Sequence, residues 1–434
     1  MMATEQTTNA ILTARFAKMT NPAEVPTYVD LAGYQGLQKA TTLDTAVLLN
    51  ELETAGLISR SGTGENIAAQ WQALAKAKGQ TKYVVCNANE GEPGSFKDKA
   101  LIQKDPLAVI EGMTIAAYFL KASQGYLYVQ GEFPEFIENF ATALNNAKAA
   151  HYLGTNILGI PGFNFDIQIM VSGGGYVENV ADAMIPALEG RVGKPGRKVN
   201  LVKRGLYGAP TLVHDPETFA NIPVILRLGG SAYRDLGAKD AGGTILVSLS
   251  GQFQHPGLYE VALGTPVQDI LYQADYGGGS TTGKPFKFIH VGGQAGALAT
   301  PAQLVDCAYT YSDFHAQHLT IGCGVIVAMD DSVGVVDYLE KVAAFYCAES
   351  CGKCLAGRVG SVRIKEQLQK FQRHAGVPGD LRYFAHTVDH VAERSLCPVG
   401  QSIGNAIFSG MKLFPDEFKQ SINWDAPETK EVPW

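Results

Sequence analysis

Residues 82–118 read KYVVCNANEGEPGSFKDKALIQKDPLAVIEGMTIAAY. The run KYVVCNA is short and apolar and ends in polar residues, the pattern of a buried strand. DPLAVIEGMTIAAYFLKA, beginning at Asp105, carries helical spacing and predicts a long helix. GYLYVQGE (125–132) is a second strand and PEFIENFATALNNAKAA (134–150) a second helix, while TLDTAVLLNELETAGL (42–57) is amphipathic. Strands alternating with helices of this length imply a layered α/β domain with a largely parallel sheet, placed at 46–235 after a lead-in at 1–45.

The pattern changes beyond this region. TILVSLSGQFQHPGLYEVALGTPVQDILYQ (244–273) gives strand, turn, strand and short helix, and PFKFIHVGG (285–293) adds a return strand. Together they describe a small β-grasp module within 240–325, with DYGGGSTTGK (275–284) as a flexible loop. From 330 to 434 the strand signals stop. DYLEKVAAFYCAES, RIKEQLQKFQRHAG, FAHTVDHVAERS and GQSIGNAIFSGMKLF all have helical spacing, so a helical bundle is expected.

A chain of 434 residues exceeds one ordinary core, and 46% hydrophobic with 18% charged residues suits a compact globular protein. The net charge of −7, with no Lys/Arg block, argues against nucleic acid as a partner. No apolar run is long enough to span a bilayer, and MMATEQTTNA lacks the basic and apolar regions of a signal peptide, so a cytoplasmic protein is expected.

Four of the seven cysteines, Cys347, Cys351, Cys354 and Cys397, fall in the last quarter of the chain. Cys351-Gly352-Lys353-Cys354 follows an amphipathic helix, and Cys397 precedes Pro398 at the start of another. Thiolates gathered from two helix ends suit an iron–sulfur cluster or a structural zinc, and buried reduced thiols are the plainer alternative.

ESCGKC followed by RSLCPVGQS resembles the cluster-binding region of the NADH-binding flavoprotein subunit of respiratory complex I and of related NAD-linked hydrogenases and formate dehydrogenases. CNANEGEPGSFKDK, ILGIPGFNFDIQI, ALEGRVGKPG, PETFANIPVILRLGG and SLSGQFQHPGLYEV follow in the family's order. The resemblance implies a Rossmann-like FMN-binding-type domain and an electron path from NADH through FMN to a [4Fe–4S] cluster. It also implies two partners, a small thioredoxin-like iron–sulfur subunit and a larger redox enzyme.

By the same resemblance Arg60, Gly62, Gly64, Asn87, Glu90, Lys198 and Thr218 are expected to bind cofactor. Glu92 is expected to be the catalytic member, and Cys347, Cys351, Cys354 and Cys397 the metal ligands. Departures from the pattern fall in the nucleotide pocket and in the cluster motif. Glu65 stands for a stacking Phe, Gln70 for a Lys, Leu201 for a second aromatic and Asn89 for an Asp. Val180 and Ala181 replace two carboxylates, His214-Asp215 replaces an Asn pair, and Gly357 replaces the third cysteine. A carboxylate in place of an aromatic ring removes stacking and repels phosphate. The alternative reading is therefore a relay or scaffold subunit that has lost NADH oxidation and possibly FMN.

Overall fold

The computed structural model describes residues 10–79, 81–196 and 198–428. Its first sheet has four parallel strands, β1 (Tyr83–Ala88), β2 (Gln124–Gln130), β3 (Asp166–Ser172) and β4 (Thr211–His214), in the order β3-β2-β1-β4. Side chains alternate across it as a pleated strand requires. Val84, Cys86, Ala88, Leu127 and Val129 enter the larger core on one face, while Val85, Tyr126 and Tyr128 enter a smaller core on the other.

Helix Pro106–Leu120 connects β1 to β2 and is buried along nearly its whole length. Asp105 caps its start by accepting from the Ala108 N–H and is itself paired with Arg15 at 2.7 Å. A Cβ at Gly112 would come within 2.0 Å of the Phe219 carbonyl oxygen, so glycine sets how closely this helix crosses helix Pro216–Leu228. Buried Glu111, on the same helix, accepts from the Tyr28 hydroxyl and from the Tyr34 and Leu37 N–H groups, which ties the N-terminal helices down.

The second sheet contains β5 (Thr244–Gly251), β6 (Gly257–Ala262), β7 (Phe286–Val291), β8 (Ala297–Ala299) and β9 (Val325–Asp330), in the order β6-β5-β9-β7-β8. β5 and β9 are parallel and the other pairs antiparallel, and helix Val267–Tyr272 packs into their shared core. The 275–284 segment, expected to be a flexible loop, is tied to this sheet. Gln254 N–H donates to the Gly279 carbonyl, and buried Ser280 donates to Asp330 at 3.1 Å.

Past Asp330 the described residues form helices, chiefly Val335–Ala348, Ser361–Gln372, Asp380–Arg394 and Ile403–Leu413. A π-helical turn, Ala356–Gly360, leads into the second of these. The core of this bundle also takes in Tyr176 and Val177 from the α/β part and Phe288 and Leu298 from the second sheet. Among the described residues no helix is long and apolar enough to cross a membrane.

Candidate functional site

Ligands of parallel sheets collect beyond the carboxyl ends of the strands, and here a cavity of about 680 Å³ opens beyond β1 and β4. Asn87, Asn89, Glu90 and Glu92 reach it from the β1 end, and His214 and Asp215 from the β4 end. Tyr176, Asn179 and Ala181 also line it, as do Gly62, Gly292, Gly322 and Cys323.

The loop after β1 is held by its own carboxylates and amides. Glu90 is buried and accepts from the Asp98 N–H at 3.2 Å and the Lys99 N–H at 2.8 Å, which anchors the start of helix Lys97–Lys104. Asn89 donates to Asn179 at 2.9 Å and accepts from Ser172 at 2.7 Å, so it bridges β3 to the segment that carries Tyr176. Glu92 accepts from the Gln294 N–H at 2.6 Å and from the Tyr176 hydroxyl at 2.7 Å. Burial pushes the Glu92 carboxyl up to about 7 against the opposing pull of those two donors. It can therefore take up or release a proton near neutrality.

Lys97, buried at the cavity floor, lies 2.7 Å from Asp215, 2.9 Å from Asp98 and 3.0 Å from Glu217. Burial alone would lower its pKa, but these carboxylates hold it well above the ordinary value. Asp215 is held below the ordinary carboxylate value because Lys97 outweighs its burial, and it caps helix Pro216–Leu228 through the Thr218 N–H. Lys97 thus neutralises the charge that Asp215 brings in place of an Asn. His214 accepts from the Trp71 indole N–H at 3.0 Å, and burial lowers its pKa to about 4, so it is neutral at pH 7.

The residues expected to bind cofactor divide. Gly62, Asn87 and Glu90, with Glu92, line the cavity, whereas Arg60, Gly64, Lys198 and Thr218 are not among its described lining. Arg60 is fully buried and donates to the Gly242 carbonyl at 2.8 Å, and its backbone N–H donates to the Thr218 hydroxyl at 2.9 Å. These two residues support the glycine loop from beneath. That loop, 59–65, is pinched at its base by Ser59 N–H donating to the Glu65 carbonyl. At Gly62 (φ +92°) a Cβ would come within 2.8 Å of the Gly322 carbonyl carbon, so glycine is required for this close approach. Gly64 has φ +67° with open space around it, and Lys198 is exposed.

Sequence reasoning missed Lys97 and Cys323. Lys97 could have been found as the first cation of the carboxylate-rich stretch after β1, Asn87–Lys99. Cys323 carries no spacing signal at all.

A second, smaller cavity lies in the helical bundle. Cys351, Cys354 and Cys397 all line it, beside Gly357, Ser395 and Gly400. Gly357 N–H donates to the Cys354 Sγ at 3.3 Å. Burial raises the Cys397 thiol, while the N–H groups of Gly400 and Val399 act in the opposite direction. Cys347, expected as the fourth ligand, is not among the described lining. Tyr346 is, and a helix turns about 100° per residue, so the next side chain leaves that face. Among the described residues no three His, Cys, Asp or Glu side chains are placed to hold a single metal ion. Three sulfurs spread around one cavity suit separate irons of a cluster better than one zinc.

The two cavities share a wall. Tyr176 lines the first and Val177 the second. Tyr346, in the second, donates to the Gln294 carbonyl at 2.9 Å, and Gln294 in turn donates its N–H to Glu92 in the first.

Residues 52–224 match the description of the Nuo51 FMN-binding domain, and residues 337–421 that of the NADH-ubiquinone oxidoreductase-F iron-sulfur binding region. The HndC subunit of the NADP-reducing hydrogenase of Solidesulfovibrio fructosivorans is 33% identical over 93% of this chain and 81% of its own length. A NADH-quinone oxidoreductase subunit of Aquifex aeolicus is 31% identical over 96% and 95% of the two chains, and its namesake in Escherichia coli is 32% identical over 95% and 92%. A chain of the NAD+-reducing [NiFe]-hydrogenase, solved in the H2-reduced state, superposes with a TM-score of 0.83 at 26% identity, covering 98% of this chain and 68% of that one. The chain belongs to the NADH-ubiquinone oxidoreductase-F family.

Proposed function

We propose that this chain is the electron-input subunit of a larger redox enzyme, with NADH and FMN in the main cavity and an iron–sulfur cluster in the three-cysteine cavity. The observation that carries the reading is the shared wall: consecutive residues Tyr176 and Val177 line the two cavities, and consecutive Cα atoms are only about 3.8 Å apart. An electron leaving the first cavity has a short path into the second.

The lining fits a flavin at its ring end. Gly62 lines the cavity without a side chain, and Asn87, Glu90 and Glu92 bring polar groups to it. The phosphate end is different. Among the described lining residues the one cation is Lys97, already engaged by three carboxylates, so a phosphate would rest on backbone N–H groups and on the Ser61 and Thr63 hydroxyls. When bound, FMN supplies the exchange between a two-electron hydride donor and single-electron transfer. Glu92 holds or releases a proton at its carboxylate, and the Tyr176 hydroxyl and Gln294 N–H fix its direction. Cys351, Cys354 and Cys397 would hold the cluster.

The strand order of the second sheet, with a parallel central pair and one packed helix, supports reading it as a β-grasp module. Leu355 and Leu396, exposed beside the cysteines, fit a contact surface for the next electron carrier, a small thioredoxin-like iron–sulfur subunit of the larger enzyme. Anaerobic addition of NADH to the purified protein should bleach flavin absorbance and then reduce the cluster, as read by EPR.

The second reading is a relay or scaffold subunit that does not oxidise NADH. It is favoured by the bonded pair Glu65 and Gln70 at the cavity wall and by five lining carboxylates, Glu65, Glu90, Glu92, Asp98 and Asp215. Cluster reduction by a chemical donor, with none by NADH, would select it.

A further inference from the structure

The family pattern places a third cysteine at position 357, and Gly357 stands there. A Cβ on Gly357 would lie 3.2 Å from the Cys354 Sγ, 3.7 Å from the Ser350 Oγ and 4.0 Å from the Ser395 Oγ. The missing ligand's corner is therefore inside the cavity and next to two hydroxyls. Ser395 is 5% exposed, and its Oγ has no hydrogen-bond partner among the described residues. A buried hydroxyl left unpaired costs about 1–3 kcal/mol, so a partner absent from the protein itself is expected there. Gly400 makes the room: a Cβ on it would fall 2.3 Å from the Ser395 Oγ. The neighbouring Ser361 is already committed, donating to the Gly357 carbonyl at 2.6 Å.

We propose that Ser395 replaces the absent cysteine and supplies an oxygen ligand to the fourth iron of the cluster held by Cys351, Cys354 and Cys397. The inference rests on the cluster reading above. As the Fe–O bond forms the hydroxyl proton passes to water, and no electron is transferred. Oxygen is a harder ligand than thiolate, so the site would favour the oxidised cluster relative to a four-cysteine one. Cys347 has no part in it.

The test uses the full chain with its cluster, prepared anaerobically, and reads iron content and EPR after mild ferricyanide oxidation in the presence of EDTA. Wild type should keep its iron. Ser395→Ala should lose about one quarter of it and show the signal of a three-iron cluster. Gly357→Cys in the Ser395→Ala background should restore retention, and Ser395→Cys should retain iron with an altered EPR spectrum. Ser350→Ala and Cys347→Ser should behave as wild type. Equal iron loss from wild type and Ser395→Ala would overturn the ligand assignment while leaving the cluster intact. So would selective loss from Cys347→Ser or Ser350→Ala. Wild type that binds no iron would overturn the cluster reading and this inference together.

Discussion

Lys97 Nζ lies 2.7 Å from the Asp215 carboxylate beneath the main cavity, with both side chains almost fully buried. The pair joins the helix that follows β1 to the residue that caps the helix after β4. It also uses up the one described cation of the cavity lining.

Lys97→Met should therefore be strongly destabilising, by roughly 3–5 kcal/mol, because Asp98, Asp215 and Glu217 would be left buried without their counter-charge. Urea unfolding is the measurement. Lys97→Met combined with Asp215→Asn should cost less than the sum of the two single changes. Strict additivity would mean that the pair is not coupled.

Asp215→Asn alone should lower stability by roughly 1–3 kcal/mol and yet tighten FMN binding. It removes one negative charge from the cavity and frees part of the Lys97 field for a phosphate. Titration calorimetry with FMN checks it, and weaker binding in the variant would place the phosphate away from Asp215.

Glu65→Phe should raise affinity for NADH about tenfold. A ring restores a stacking contact of roughly 0.5–1.5 kcal/mol and removes repulsion towards the pyrophosphate. Glu65 is exposed at the cavity wall and bonded only to Gln70 among the described side-chain contacts, so the fold should tolerate the change. An unchanged NADH affinity would show that the nucleotide does not pass this wall.

Glu92→Gln should change how stability depends on pH. In the folded protein the Glu92 carboxyl sits at about 7 against an ordinary 4.5, so between those values the folded state binds more protons than the unfolded chain. The resulting stabilisation is complete below about pH 4.5 and is lost as pH rises through 7. Over that window wild type should lose roughly 1–3 kcal/mol relative to Glu92→Gln. Melting temperatures of both proteins at about pH 5 and about pH 8 test this, and parallel curves would show that Glu92 titrates normally.

Much of the fold was legible in the order of residues. The alternation in KYVVCNA and GYLYVQGE, with helical spacing between them, is a local property, and local patterns set the parallel sheet. The helical character of the chain after Asp330 was legible for the same reason. The loop at Asn87–Glu92 could be placed because a strand end followed by polar and glycine residues marks where ligands of such sheets sit. The sequence by itself also determined that three cysteines come from two helix ends, and that position 357 offers no side chain.

Only the tertiary structure decided which polar groups face the cavities. Arg60 looks like a phosphate ligand in sequence, but the Gly242 carbonyl and Thr218, far along the chain, claim it for support. Asp215 stands in the sequence as a replacement for an Asn, and its pairing with Lys97, 118 residues away, exists only in the fold. Cys347 has helical spacing to Cys351, yet the helix ends at Ala348, and a cysteine beyond that end does not keep the helical face. Ser395 carries no motif, and its hydroxyl matters only because Gly357 and Gly400 leave space around it. Periodicity records which side of an element is buried. Which buried group meets which is set by contacts between distant segments, and those exist only once the chain has packed.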